Sequence, residues 1–265
     1  MRRVALSLAG LYAMGVVVGC ELLVGIKDKT GSAASDAAFS DVSTGDAAAA
    51  DPDVPCMQQP TNLFCDDFDS ELEAGDGWLW DITMGGGAVE LDTVDFASSP
   101  RSARFTIPSP PASAQLGQDV GSDLSTGYRL AFDLRLDVAA ADLSSIPQVA
   151  AAQLYRTSGS DQLTVAYVLG PGAQSYIQLY EGSATSPTNL ALDQMPPLQT
   201  WTRLVLVYDA QQGVTVIEDG ATIATSTTAA HGPPGTTSII VGAVYSNPPG
   251  SAVALEIDNV VLRGQ

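Results

Sequence analysis

"YRLAFDLRL" (Tyr128–Leu136) decides the fold. Tyr128, Leu130, Phe132, Leu134 and Leu136 fall on one side of an extended chain, and Arg129, Asp133 and Arg135 on the other. Alternation with period two marks a strand with one face in a core and one in water. "QLTVAYVL" (162–169) repeats the pattern through Leu163, Val165, Tyr167 and Leu169. "WTRLVLVYD" (201–209) is apolar on both sides, which predicts a strand inside a sheet, with Trp201 in the core. "GVTVIEDGATIATS" reads as two short strands around Asp219-Gly220, the dipeptide of a tight hairpin. Further strands are predicted near 78–82, 88–92, 103–107, 148–156, 174–181, 238–244 and 252–262, separated by Gly and Pro. No long segment after Cys56 has helical period. The chain is therefore read as all-β, with roughly a dozen strands.

The motifs also come in a telling order. "FCDDFD" opens the domain and "SSPRSARFTI" follows; then come "WTRLVLVYDAQQGVTVIEDG", "SIIVGAVYS" and a closing "ALEIDNVVL". This order resembles bacterial concanavalin A-like, laminin-G-like domains over nearly all of residues 63–263. The resemblance implies a two-sheet antiparallel jelly-roll sandwich with one concave sheet, in which the first and last strands pair. It does not imply an activity, because lectins, glycosidases, lyases and adhesion modules share that fold.

The N-terminus speaks to location. Arg2 and Arg3 precede an apolar run, Val4–Val18, too short to cross a bilayer comfortably as a helix. Gly19-Cys20 follows, and the pattern resembles a bacterial lipoprotein signal. The resemblance implies cleavage of residues 1–19 and lipidation of Cys20, whose acyl chains would anchor the protein at about 0.8 kcal/mol per buried methylene. Glu21, not the Asp that retains such proteins at the inner membrane, implies the outer membrane. Residues 20–55 carry the lipidated Cys and an Ala/Ser/Asp-rich stretch too poor in apolar side chains to fold, a flexible tether. Residues 56–265 form the domain.

Two further Cys, Cys56 and Cys65, read as a disulfide in an exported chain. Closing a loop of about ten residues contributes about 2.5–3 kcal/mol on the chain-entropy model. Two Cys and one His, His231, make a zinc site a poor reading. From Cys56 onward there is no Lys, and seven Arg face 23 Asp and Glu. That balance argues against nucleic acid as a partner.

Glu256 and Asp258 alternate on the closing strand, as catalytic carboxylates do in laminarinase-type glucanases. That motif ends in a further Glu, the acid/base, and Val260 and Val261 stand here instead. Glycoside hydrolysis needs two carboxylates, one of them held protonated, so no catalytic residue is assigned. His231 sits in a loop with no nucleophile elbow, and "MGGGAV" (84–89) lacks the setting of a phosphate loop. Pairing of the first and last strands would gather Asp66, Asp67, Asp69, Asp258 and Asn259, an oxygen set for a structural Ca2+; the alternative is solvated acids protecting an edge. Tyr176, Gln178 and Tyr180 share one side of their strand, with Gln153 and Tyr155 expected alongside. Aromatic and amide groups on a concave sheet suit sugars; the alternative is cross-strand packing. Trp78 and Trp80 are read as half-buried packing.

The sequence thus predicts a membrane-anchored lipoprotein displaying a non-catalytic binding module, for carbohydrate at the cell envelope. The alternatives are an adhesion module for a surface protein and a divergent carbohydrate-active enzyme.

Overall fold

In a computed structural model of the chain, the described residues are 62–108, 112–121, 126–137, 148–158, 161–170, 174–181, 188–192, 195–226, 235–243, 246–247 and 252–264. The signal, Cys20, the tether, Cys56 and His231 lie outside them. The described residues form strands and no helix. In chain order these are β1 (Phe64–Asp66), β2 (Trp80–Met84), β3 (Ala88–Asp92), β4 (Ser102–Ile107), β5 (Ser113–Asp119), β6 (Gly127–Asp137), β7 (Gln148–Ser158) and β8 (Asp161–Gly170). There follow β9 (Gln174–Glu181), β10 (Thr188–Leu192), β11 (Thr202–Asp209), β12 (Gly213–Glu218), β13 (Ala221–Ser226), β14 (Thr236–Ala243), β15 (Ser246–Asn247) and β16 (Val253–Gly264).

Two antiparallel sheets result. Sheet A runs β13-β12-β11-β6-β16-β4-β3, with β1 added to β16; sheet B runs β10-β9-β8-β7-β14-β5-β2, with β15 added to β7. The predicted alternation holds. Tyr128, Leu130, Phe132, Leu134 and Leu136 of β6 are all buried, and Leu163, Val165, Tyr167 and Leu169 of β8 meet them from the other sheet. Leu204, Leu206 and Tyr208 of β11 complete that layer, and the Tyr128 and Tyr208 rings stack at 4.9 Å. β11 lies between β6 and β12, and on its second face Val205 packs with Ala131 and Val261 in a small outer cluster. Asp219 and Gly220 both take positive φ, 46° and 80°, the conformation that a two-residue hairpin of right-handed twist demands.

Three features depart from the sequence reading. β5, β10 and β15 go beyond the predicted strands. Trp201 is half-buried, not core, because it precedes β11 and it is Thr202 that is buried there. "MGGGAV" is a loop, as read: it turns the chain from sheet B to sheet A, with Gly87 N–H donating to the Met84 carbonyl at 3.0 Å. In the closing strand, the expected continuous alternation breaks at a bulge between Asp258 and Val261. Asn259, at φ 49°, and Val260 together oppose Phe132, so the faces exchange. Val260 and Leu262 therefore enter the core, while Val261 faces outward with Ala131.

Candidate functional site

The acids of the closing strand are structural. Glu256 stands on the outward face of sheet A between Arg104 of β4 and Arg135 of β6, its register partners. One oxygen meets Arg104 Nη1 at 2.5 Å and the other meets Arg135 Nη1 at 2.5 Å. Arg104 also pairs with Asp137 at 2.9 Å and Asp92 at 3.4 Å, and Arg135 with Asp95 at 3.0 Å. Glu256 is 0% exposed. Burial raises its pKa while the two guanidinium groups pull it down. Asp92, Asp95 and Glu256 are the one trio of His, Cys, Asp or Glu among the described residues whose ligand atoms lie within 4.8 Å of one another. Arg104 pairs with Asp92 and Glu256, and Arg135 with Asp95 and Glu256, so the trio is part of one ion-pair network.

Asp258 serves as a staple. Its Oδ2 accepts the backbone N–H groups of Ala97 (3.0 Å) and Ser98 (2.8 Å), and its Oδ1 accepts that of Asn259 (2.7 Å). This fixes the loop before β4 to the end of the ion ladder. Burial pushes the Asp258 carboxyl up to about 7, against the pull of those three donors. Asn259 donates its amide to Asp133 at 2.7 Å, and its carbonyl accepts Arg203 Nη1 at 2.9 Å.

The first and last strands do pair, with Cys65 opposite Val261 and Asp66 opposite Val260. The Asp residues nearby are nevertheless turned toward donors. Asp66 accepts Phe68 N–H (2.8 Å) and Trp78 Nε1–H (2.5 Å), Asp67 accepts Asp69 N–H (3.3 Å), and Asp69 accepts Arg101 N–H (3.1 Å). Among the described residues, no three of these acids bring ligand atoms within 4.8 Å of one another. Of Asp66, Asp67, Asp69, Asp258 and Asn259, the geometry commits every member to hydrogen bonds within the fold. Trp78 is core, stacked on Phe68 and edge-on to Phe64. Glu71 is buried beside Asp66; desolvation first, then the neighbouring charge, pushes it up to about 9.

The outward face of sheet B is different in kind. Gln153 of β7 lies opposite Ala166 of β8, which lies opposite Gln178 of β9, which lies opposite Asn189 of β10. One step along, Tyr155, Thr164 and Tyr180 form a second row. Tyr176 lies opposite Val168 and Ala191. All five predicted residues, Gln153, Tyr155, Tyr176, Gln178 and Tyr180, thus occupy one face, since Leu154, Ile177 and Leu179 between them are buried in the core. β7 and β9 are not neighbours as expected: β8 runs between them, setting the two Gln positions about 10 Å apart at two strand spacings. The intervening Ala166 is small and 2% exposed, a floor between the half-buried Gln153 and Gln178.

The same face extends beyond those residues. Gln153 lies opposite Ile240 of β14, Ile240 opposite Gly117 of β5, and Gly117 opposite Trp80 of β2. A Cβ on Gly117 would come within 2.2 Å of the Trp80 indole, so the ring lies directly on the glycine backbone. Trp80 is half-buried, as read, but its place on this face was not foreseen. A glycine inside a strand is the available signal, because it marks close approach of another group.

Several solved structures are similar to this chain. The endo-β-1,4-glucuronan lyase from the fungus Trichoderma reesei shares 14% identity at a TM-score of 0.61, over 77% of this chain and 96% of that one. The cellulose induced protein Cip1 shares 14% at 0.53, over 76% and 97%. The binding domain of botulinum neurotoxin DC, in complex with rat synaptotagmin II, shares 9% at 0.54, over 77% of this chain and 48% of that one. At these identities the likeness establishes the fold, a two-sheet antiparallel jelly-roll sandwich. No protein-family model and no curated protein matches the sequence.

Proposed function

We propose that the chain is a lipoprotein, anchored through Cys20 in the outer membrane, which displays a non-catalytic jelly-roll module that binds carbohydrate at the cell envelope. One observation carries the binding part. The register of β7, β8 and β9 places Gln153, Tyr155, Tyr176, Gln178 and Tyr180 together on an outward face floored by Ala166 and Thr164. Amides give paired donors and acceptors for sugar hydroxyls, and aromatic rings give surfaces for the C–H faces of pyranoses. On the other sheet, Asp137, Glu256 and Asp133 are paired with Arg104, Arg135 and Arg203. Fold neighbours named as a glucuronan lyase and as a cellulose induced protein support a polysaccharide in general terms. A Cys56–Cys65 disulfide would secure β1 where the tether meets the domain.

The test is a polysaccharide array probed with the purified protein and with the Gln153→Ala/Gln178→Ala double variant. Binding to at least one glycan, lost in the variant, is expected. A protein partner recovered in place of any glycan would favour the adhesion reading, and release of reducing ends would favour an enzyme. Palmitate labelling of cells expressing wild type and Cys20→Ser tests the anchor: label should appear only with the wild type.

A further inference from the structure

The distribution of positive charge bears on which glycans this face can hold. The domain has seven Arg and no Lys after Cys56; Lys27 and Lys29 precede it. Arg104, Arg135 and Arg203 are paired on the outward face of sheet A. Arg129 and Arg263 lie opposite each other in that same sheet, and Arg263 donates to Asn62. The Arg101 guanidinium donates to the Glu71 carbonyl. Arg156 is in β7, but alternates with Gln153 and Tyr155 and so holds a position on the opposite side of the strand. Among the described residues, no Lys or Arg holds a position on the outward face of sheet B. The segments joining its strands, 138–147, 159–160, 171–173, 182–187, 227–235 and 244–252, contain no Lys or Arg that could reach over it. Asp119, opposite Ser238 on that face, adds a negative charge.

Carboxylated and sulfated glycans are recognised by guanidinium or ammonium groups, whose charge-assisted hydrogen bonds offset the desolvation of the anion. An acidic domain whose Arg positions lie away from the face repels such polymers. A neutral glycan needs only what the face offers. We infer that the outward face of sheet B binds an uncharged polysaccharide laid across the strands, stacked at one end on Trp80 over Gly117 and hydrogen-bonded further along by Gln153 and Gln178. The row from Trp80 through Gly117, Ile240, Gln153 and Ala166 to Gln178 spans five strand spacings, about 24 Å, room for several pyranose rings. This rests on the carbohydrate-binding reading above and narrows it to a substrate class.

Affinity electrophoresis of the full chain in detergent tests the inference. The probes are hydroxyethylcellulose, xyloglucan and galactomannan as neutral polymers, and polyglucuronate and polygalacturonate as anionic ones, at low and high salt. At least one neutral polymer should retard the protein, with affinity unchanged by salt, and neither polyuronate should. Trp80→Ala and Gln178→Ala should each weaken retardation about tenfold, roughly 1.4 kcal/mol, with unchanged melting profiles showing that both variants fold. Tighter binding of a polyuronate than of every neutral polymer overturns this inference and leaves the carbohydrate-binding reading intact. Retardation by no polymer overturns both. Neutral binding that survives both substitutions overturns the assignment to this face.

Discussion

Replacing Glu256 with Ala separates a structural carboxylate from a catalytic one. The side chain is fully buried and takes a guanidinium on each oxygen at 2.5 Å. Removing one member of a buried pair costs about 3–5 kcal/mol, mostly because the partner charge is left without compensation. Here Arg104 keeps Asp92 and Asp137, Arg135 keeps Asp95, and the two Arg side chains are 28% and 12% exposed. The cost should therefore sit near the lower end, about 3 kcal/mol, or a fall in Tm of about 6–12 °C for a domain of this size. Urea unfolding followed by Trp fluorescence measures it. A Glu256→Ala/Arg135→Ala cycle should return a coupling of about 1–3 kcal/mol. A loss below about 1 kcal/mol would falsify the ion-ladder assignment. A glycan-cleaving activity that disappears in Glu256→Gln while stability holds would reinstate the closing strand as an active site.

Three other outcomes follow from the same coordinates. Gly242→Ala should destabilise by about 3 kcal/mol or abolish folding, since its φ is 104° and a Cβ would meet the Phe105 ring at 2.3 Å and the Ala114 carbonyl at 2.6 Å; thermal melting decides, and a Tm within a few degrees of wild type would contradict the packing. The folded domain holds protons on Asp258 up to about 7 and on Glu71 up to about 9, which the unfolded chain releases near the ordinary carboxylate pKa of about 4. Both contributions are fully present below that value and are lost as pH rises through 7 and 9, so the urea midpoint should be higher at pH 5 than at pH 8; the opposite order would refute the raised carboxyls. Because Asp66, Asp67, Asp69 and Asp258 face N–H donors, the melting temperature should be the same in EDTA and in millimolar calcium. A rise with calcium would show that those hydrogen bonds yield to the ion.

The sequence is legible where a strand alternates strongly and is buried on one side. Tyr128–Leu136 and Leu163–Leu169 reveal themselves because large apolar side chains recur every second residue. β5 does not, since "SAQLGQD" offers only Ala114 and Leu116 to the core and owes its strand form to β2 and β14 on either side. β10 is an edge strand of mixed exposure, and β1 spans only three residues. The bulge at Asn259 is hidden because a run of Val and Leu satisfies either face. For the site, the Tyr/Gln alternation on β9 is visible in the chain, while the β8 spacer and the seat of Trp80 depend on pairing register, which no local pattern states. The partners of Glu256 stand 152 and 121 residues earlier, so an acid that resembles a nucleophile in isolation becomes a structural counter-ion only after the strands are arranged.

The place of β16 also governs how this domain can form. It is the last strand of the fold, yet it sits in the interior of sheet A, joining β6 to β4 and holding β1 along its far half. Until residues 253–264 exist, β3 and β4 have no sheet to join and one hydrogen-bonding edge of β6 lacks a partner. Sheet A therefore cannot be completed until its closing strand is made. The sandwich closes in one late event, dominated by contacts between distant segments, and such contacts form slowly. A chain that lost residues 253–264 would lose the strand joining β6 to β4 and the partner of β1, and would be exposed to proteolysis.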